Sequence, residues 1–399
     1  MAIVPRGERL VIAITGKRNA GKSSLINALT GQEIAIVSEV AGTTTDPVAK
    51  HYELIPIGPV TFFDTAGIDD VGELGSKRIK ATRQILYRAD ISILVIGSSA
   101  IDETELKLIQ EILELKIPLL VVFNKSDLYQ PTQGSLEFLK NKGIRHCLVS
   151  ATSGEGIDLC KDMIKSLTPN LLIQERPLVG DLIKSGSHVI LVTPIDTSAP
   201  KGRMILPQMQ VLRDLLDYNA IVTFTKETEL KLAMKVPKNP PDLVITDSQA
   251  IKLVAEVVPD SVLLTTFSIL FARYKGELET LLKGARQIDK LKDGDKVLIA
   301  ESCSHHVQCD DIGRFKLPGW LNQYTGKKLT YEVFAGHDFP DNLEEFAVAI
   351  HCGACMINPM EMTRRMHECE RRGVPITNYG MTISKVQGLL ERVVRVFGI

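Results

Sequence analysis

The run Leu10-Val-Ile-Ala-Ile-Thr15 leads without interruption into Gly16-Lys-Arg-Asn-Ala-Gly21-Lys22-Ser23, and Ser24-Leu-Ile-Asn-Ala-Leu-Thr30 follows at once. The short β-branched apolar run predicts a buried strand and the tail predicts a helix. Between them stands a complete GxxxxGK[ST] loop. Its glycines let successive backbone N–H groups curl around phosphate oxygens, and the helix N-terminus adds the positive end of its dipole. Lys22 is spaced to reach the β- and γ-phosphates, and the Ser23 hydroxyl to bind magnesium. Strand, loop and helix in this order commit the N-terminal third to a P-loop α/β fold.

Three later segments fit one nucleotide. Asp64-Thr65-Ala66-Gly67 follows the apolar run Val60–Phe63, which brings an acid to the magnesium and a glycine amide to the γ-phosphate. Asn124-Lys125-Ser126-Asp127 follows Leu119–Phe123, and the Asp127 carboxylate can accept from both the N1–H and the 2-amino group of guanine, which adenine cannot offer together. Ser150-Ala151-Thr152 supplies backbone N–H for guanine O6. The four segments together resemble the Ras-like, translation-factor-type GTPases. The resemblance makes Gly16, Asn19, Ala20, Gly21, Lys22, Ser23, Ser24, Asn124, Lys125, Asp127, Ser150 and Ala151 the GTP-binding candidates. Lys22, Thr44, Asp64 and Gly67 are the catalytic ones.

Thr44 comes from Gly42-Thr-Thr-Thr-Asp46, which resembles the first switch of the tRNA-modification GTPases (the TrmE/Era/EngA relatives). In that group a threonine joins Ser23's counterpart on magnesium, and the phosphate-loop asparagine, here Asn19, holds a potassium ion. Two departures bear on rate. Ile68 stands where many GTPases carry the glutamine that orients the attacking water. The related enzymes use a glutamate from the next helix, and Gly75–Ile79 has no acid at the aligned place, with Glu73 nearby. The expectation is slow intrinsic hydrolysis, stimulated by potassium.

The middle of the chain alternates apolar runs with amphipathic stretches: His188–Thr193, Gln208–Asp217, Ala220–Phe224, Glu227–Lys235, Leu243–Thr246, Gln249–Val257. This βαβα pattern predicts a small parallel sheet with crossover helices. It carries no phosphate loop, metal spacing or nucleophile–base pair. Parallel sheets are normally covered on both faces, so a second copy of the chain is the expected cover.

A further alternating unit is expected from Val262–Thr266, with one long helix over Ile269–Lys290 and a strand at Lys296–Ala300. That strand ends in Glu301-Ser-Cys303-Ser-His305-His306, and the apolar run Phe346–Ile350 ends in His351-Cys352-Gly-Ala-Cys355. Ligand sites of open α/β sheets gather outside the carboxyl ends of the strands, so the two thiol motifs are expected to meet. Cys303, Cys352 and Cys355 suit an iron–sulfur cluster with one iron left for another ligand; with a histidine they also suit tetrahedral zinc. His305 and His351 are candidates for that fourth position or for supporting hydrogen bonds, ahead of His306. Cys147 and Cys160 fall in apolar elements and read as core.

A Ras-like GTPase, a central α/β domain and a CxH…HCxxC domain together resemble the FeFe-hydrogenase maturation GTPases, the HydF family, over essentially the whole chain. The resemblance implies a three-domain α/β protein: a GTP-binding domain over 1–170, a dimerisation domain over 171–262 and an iron–sulfur cluster-binding domain over 263–399. It implies a cytoplasmic homodimer using GTP, Mg2+, K+ and a 4Fe-4S cluster. Such a dimer assembles the di-iron precursor of the H-cluster with two radical-SAM maturases and delivers it to apo FeFe-hydrogenase. The rival is a zinc-stabilised regulatory or RNA-associated GTPase. With 47 basic and 48 acidic residues the chain lacks the basic excess of a nucleic-acid or membrane-surface binder. No apolar run approaches the roughly 18–20 residues of a membrane span, and the start does not read as a signal peptide. Seven irregularly spaced cysteines suit a reducing compartment.

Overall fold

The computed structural model describes residues 9–31, 48–54, 58–65, 67–68, 81–168, 177–194, 204–302, 312–336, 339–340, 342–354 and 357–399. The chain divides into two compact units, Met1–Glu175 and Arg176–Ile399.

In the first unit the described strands are β1 (Leu10–Gly16), β2 (Val48–Leu54), β3 (Gly58–Asp64), β4 (Ile91–Ile96), β5 (Leu119–Phe123) and β6 (Arg145–Leu148). They form one sheet in the order β2-β3-β1-β4-β5-β6. All pairs are parallel except β2 with β3. β1 is buried along its whole length because alternate side chains enter different cores. Ile12 and Ile14 pack with Leu25, Ile26 and Val122 on one face, and Val11 and Ala13 with Leu94, Ile109 and Val121 on the other. Helices α1 (Lys22–Thr30), α2 (Glu103–Glu114), α3 (Gln133–Asn141) and α4 (Ile157–Leu167) alternate with these strands. The chain leaves β1 with β3 on one side and β4 on the other, so the phosphate loop opens where the strand order reverses.

The second unit holds two four-stranded sheets, all parallel. One is formed by β7 (His188–Val192), β8 (Ile221–Thr225), β9 (Leu243–Thr246) and β10 (Leu263–Thr266) in the order β10-β9-β7-β8. The other is formed by β11 (Lys296–Glu301), β12 (Thr330–Ala335), β13 (Val348–His351) and β14 (Ile376–Asn378) in the order β12-β11-β13-β14. One buried cluster joins them, running from Val192 and Val244 through Ile269 and Met381 to Ile299 and Ile350.

Two expectations are corrected here. The strand expected to open the last domain, β10, is hydrogen-bonded to β9, so a division between 262 and 263 would part paired strands of the middle sheet. The single helix expected over Ile269–Lys290 is two, α5 (Phe267–Lys275) and α6 (Leu278–Gln287), followed by a 3-10 turn at Ile288–Lys290. The chain is extended at Gly276, where a Cβ would come within 2.9 Å of the Met366 sulfur. The helix stops at a glycine that follows a basic last turn, Arg273 and Lys275.

Candidate functional sites at two sets of strand ends

The phosphate loop is shaped by contacts that exclude side chains. Gly16 has φ +141°, and a Cβ there would lie 2.3 Å from Val95 O. Gly21 has φ +89°, and a Cβ there would lie 2.1 Å from Asn124 Nδ2. Asn19 also takes a left-handed backbone, φ +57°. Lys22 Nζ arches back over the loop and donates to Lys17 O at 2.7 Å and Gly16 O at 3.1 Å. Lys17 itself pairs with Asp102, the N-cap of α2.

Ser23 Oγ donates to Asp64 Oδ2 at 2.6 Å, which brings together the two oxygens expected on magnesium. Burial pushes the Asp64 carboxyl above its ordinary range, against the opposing effects of the Ser23 hydrogen bond and the Lys22 charge. Thr65 fixes the chain after β3 by donating from both N and Oγ1 to Ile14 O, and Ile68 N donates to Gly16 O at 3.3 Å. Gly67 is buried beside them.

Asn124 is 3% exposed and ties two loops together. Its Nδ2 donates to Ala20 O at 3.0 Å, and its Oδ1 accepts from Ala151 N at 3.1 Å. Ser150 is buried and its N–H is bound to Glu155 O, whereas Asp127 is exposed at the mouth. Ser24 lies in the first turn of α1. Thr44 lies outside the described residues.

At the second site β11 and β13 run side by side, with Ala300 opposite His351. Cys352 N donates to Ala300 O, and Cys352 Sγ lies 3.1 Å from Ser302 N and 2.8 Å from Ser302 Oγ. Burial opposes ionisation of this thiol. Hydrogen bonds from Ser302 and the Ala354 backbone oppose it and draw the thiol below its ordinary value.

His351 is fully buried with both ring nitrogens engaged. Arg365 Nη1 lies 2.9 Å from Nε2, and since a guanidinium can only donate, the ring proton belongs on Nδ1, which donates to Cys352 O at 2.9 Å. In this arrangement the His351 ring is bonded to the Cys352 backbone. Arg365 also donates to Glu361 Oε1 at 2.8 Å and Gly336 O at 2.9 Å, from helix α8 (Pro359–Arg371), which follows α7 (Leu317–Thr325) in the chain. Beside the other motif, Glu301 is 2% exposed and pairs with Arg314 at 3.1 Å.

Cys303, His305, His306 and Cys355 lie outside the described residues, and among the described residues no group of three potential ligands gathers. Cys303 follows Ser302 directly in sequence, however, and Ser302 touches the Cys352 sulfur. A low thiol ringed by N–H and O–H donors fits a thiolate ligand, and Ser23 with Asp64 fits a hard, oxygen-preferring cation. Sequence reading missed Arg365, Ser302 and the bridging role of Asn124. The i,i+4 spacing of Glu361 and Arg365 was visible but reads as an exposed pair. Cys147 and Cys160 are buried core, as expected.

Residues 178–276 match the family model for the hydrogen maturase F dimerization domain, and residues 279–396 match the hydrogen maturase F tetramerization domain. Residues 11–125 match the 50S ribosome-binding GTPase model. The chain belongs to the hydrogen maturase F family. Its first unit is a P-loop GTPase domain, and the expected central dimerisation domain finds its match. The last domain, expected as a cluster-binding domain, matches a model described by tetramerization.

Among curated relatives, the tRNA modification GTPase MnmE of Legionella pneumophila is 40% identical over 187 residues, 46% of this chain and 39% of that protein. MnmE of Yersinia pestis is 33% identical over 223 residues, 52% of this chain and 48% of that protein. The chain spans less than half the length of these relatives. The solved structure of Aquifex aeolicus Era bound to GDP and aluminium fluoride is 22% identical, covering 54% of this chain and 92% of that one with a TM-score of 0.37. The hydrogen maturase F assignment rests on the two domain models. Among its described residues no helix is long and apolar enough to cross a membrane.

Proposed function

We propose that this member of the hydrogen maturase F family is a cytoplasmic, GTP-hydrolysing scaffold. It holds a 4Fe-4S cluster on Cys303, Cys352 and Cys355, assembles the di-iron precursor of the H-cluster with radical-SAM maturases, and delivers it to apo FeFe-hydrogenase. The observation that carries the reading is the Cys352 sulfur at the end of β13, met by the N–H and the hydroxyl of Ser302, the residue before Cys303. Both maturase domain models support it. So does the edge strand β8, which leaves Ile221 and Phe224 exposed, as expected of a chain that self-associates.

At the nucleotide, Lys22 leaves its two loop carbonyls for the β- and γ-phosphates, and Ser23 and Asp64 hold the magnesium, which neutralises phosphate charge. Thr44 joins them in the triphosphate state. With Ile68 in place of a water-orienting glutamine intrinsic hydrolysis is slow, and potassium held by Asn19 makes it faster than in sodium. Asp127 reads guanine. At the thiols, three cysteines leave one iron open to an exchangeable ligand, and His351 keeps Cys352 oriented. His305, ahead of His306, is the histidine candidate for that open position.

Nucleotide state acts on contacts with the maturases, since GTP and thiol motifs lie in different units. Lys22→Ala is expected to load the cluster yet fail in maturation; normal maturation would make GTP dispensable.

The deciding experiment is anaerobic iron and sulfide analysis with EPR on wild type and the Cys303→Ala/Cys352→Ala/Cys355→Ala variant. About four irons and four sulfides per chain, with a reducible signal absent from the variant, is the expected result. One tight zinc and no reconstitutable iron would instead establish the zinc-stabilised regulatory GTPase.

A further inference from the structure

Lys275 is 4% exposed, at the last turn of α5. Its Nζ donates to Ala354 O at 2.8 Å and Ile357 O at 3.0 Å, 79 and 82 residues away in sequence. Its stem passes the Phe271 ring, with Nζ 5.8 Å from the ring centre. The two carbonyls bracket Cys355 in sequence, and the first belongs to the residue two beyond Cys352. Ala354 has φ +56°, a conformation alanine keeps only where its surroundings impose it. The start of the turn is fixed by Cys352 N on Ala300 O. Its far side is fixed by Lys275, which reaches in from the segment matched by the dimerization domain.

We infer that Lys275 is a positioning residue for the backbone that follows Cys352. Through it, the packing of α5 in the dimerization segment holds the Ala354 and Ile357 carbonyls in place and so sets the geometry in which Cys352 is presented. Its effect on a bound cluster rests on the scaffold reading above; its effect on the turn does not. A buried charge donating to two carbonyls makes bonds stronger than a neutral donor would, and outer partners of this kind hold metal-binding groups in place.

The test uses the full-length chain as wild type, Lys275→Met and Lys275→Arg, with native folding checked by Trp320 fluorescence. In the metal-free protein, amide hydrogen exchange is read on the peptide spanning residues 351–358. Lys275→Met is expected to exchange there about tenfold faster or more, the equivalent of one lost charge-assisted bond. Lys275→Arg, which keeps two donors, should restore most of the protection. Unchanged protection in Lys275→Met would overturn the inference.

After iron and sulfide reconstitution, Lys275→Met is expected to release iron to a chelator about 10- to 100-fold faster. Its reduction potential should also move negative, because a nearby cation favours the more negatively charged reduced state. An unchanged release rate and potential would overturn the effect on the cluster. A wild type that takes up no iron would overturn the scaffold reading, while the exchange measurement would still decide the role of Lys275. Should Lys275→Met not fold, Lys275→Gln keeps an uncharged amide that can still donate and should give intermediate protection; wild-type protection there would overturn the inference.

Discussion

Ser302 meets the sulfur of Cys352 with two atoms, its backbone N at 3.1 Å and its hydroxyl at 2.8 Å. The two residues stand 50 apart in sequence and lie at the ends of neighbouring parallel strands. The first cysteine motif is thereby linked to the second by a hydrogen bond to sulfur.

That link predicts a pH profile. In the metal-free protein the Ser302 and Ala354 hydrogen bonds draw the Cys352 thiol below its ordinary 9.0, so alkylation by iodoacetamide should level off below pH 9. Ser302→Ala removes a donor to the thiolate and should move the profile to higher pH. Cys369 is the internal control: burial and the neighbouring Glu368 push its thiol up to about 12, and it is fully buried. It should stay unlabelled until the protein unfolds. Peptide mapping by mass spectrometry reads both. A Cys352 profile still climbing near pH 9 would remove the thiolate argument.

Asn124 predicts a split between two substitutions. Asn124→Ala strands Ala20 O and Ala151 N, each worth about 1–3 kcal/mol when buried and unpaired, so guanine-nucleotide affinity should fall at least tenfold. Asn124→Asp keeps an acceptor for Ala151 N but sets a carboxylate against Ala20 O, and should bind no better. Fluorescent GDP titration measures both. Wild-type affinity in either variant would mean that the bridge does not organise the pocket.

The phosphate site was legible because its chemistry is contiguous: Gly16, Gly21, Lys22 and Ser23 are spaced by local geometry, and Asp64 follows its strand directly. The second site was legible only as far as its cysteines. Arg365 lies 14 residues beyond His351 and Lys275 lies 79 before Ala354. A lysine at a helix end normally reads as solvated, and nothing in its sequence neighbourhood says that this one is buried. The break at Gly276, by contrast, was signalled locally, by a glycine just after Arg273 and Lys275, and was overrun because the apolar spacing continues beyond it. Strand β12 went unread for another reason: its Thr330–Ala335 sequence is only partly buried and mixes polar with aromatic residues.

Two glycines should respond to alanine with opposite sign. Gly284 on α6 lies against β14 so closely that a Cβ would be 1.9 Å from Ile376 O. Backbone cannot move aside cheaply, so Gly284→Ala should destabilise the second unit by about 1–3 kcal/mol or more. Gly319 in α7 has nothing within 4 Å of a Cβ and is exposed, so Gly319→Ala should stabilise by about 0.5–1 kcal/mol through helix propensity. Urea unfolding followed by circular dichroism checks the signs, and stabilisation by Gly284→Ala would contradict the packing of α6 on β14.

Arg365 and Glu361 are each 5% exposed and form an ion pair whose arginine also holds His351 and Gly336 O. Removing one partner of a buried pair leaves an uncompensated charge, at a cost of about 3–5 kcal/mol, whereas removing both is often nearly neutral. Arg365→Met should therefore lower the stability of the second unit by about that much, and Arg365→Met/Glu361→Leu should recover most of the loss. Trp320 is the chain's single tryptophan and belongs to this unit, so its fluorescence follows the transition without interference from the GTPase domain. The double variant should regain stability without regaining the site, because His351 still lacks the donor that fixes its proton on Nδ1. Equal stability in the single variant and wild type would mean that the pair is solvated and that His351 is free to turn toward a metal.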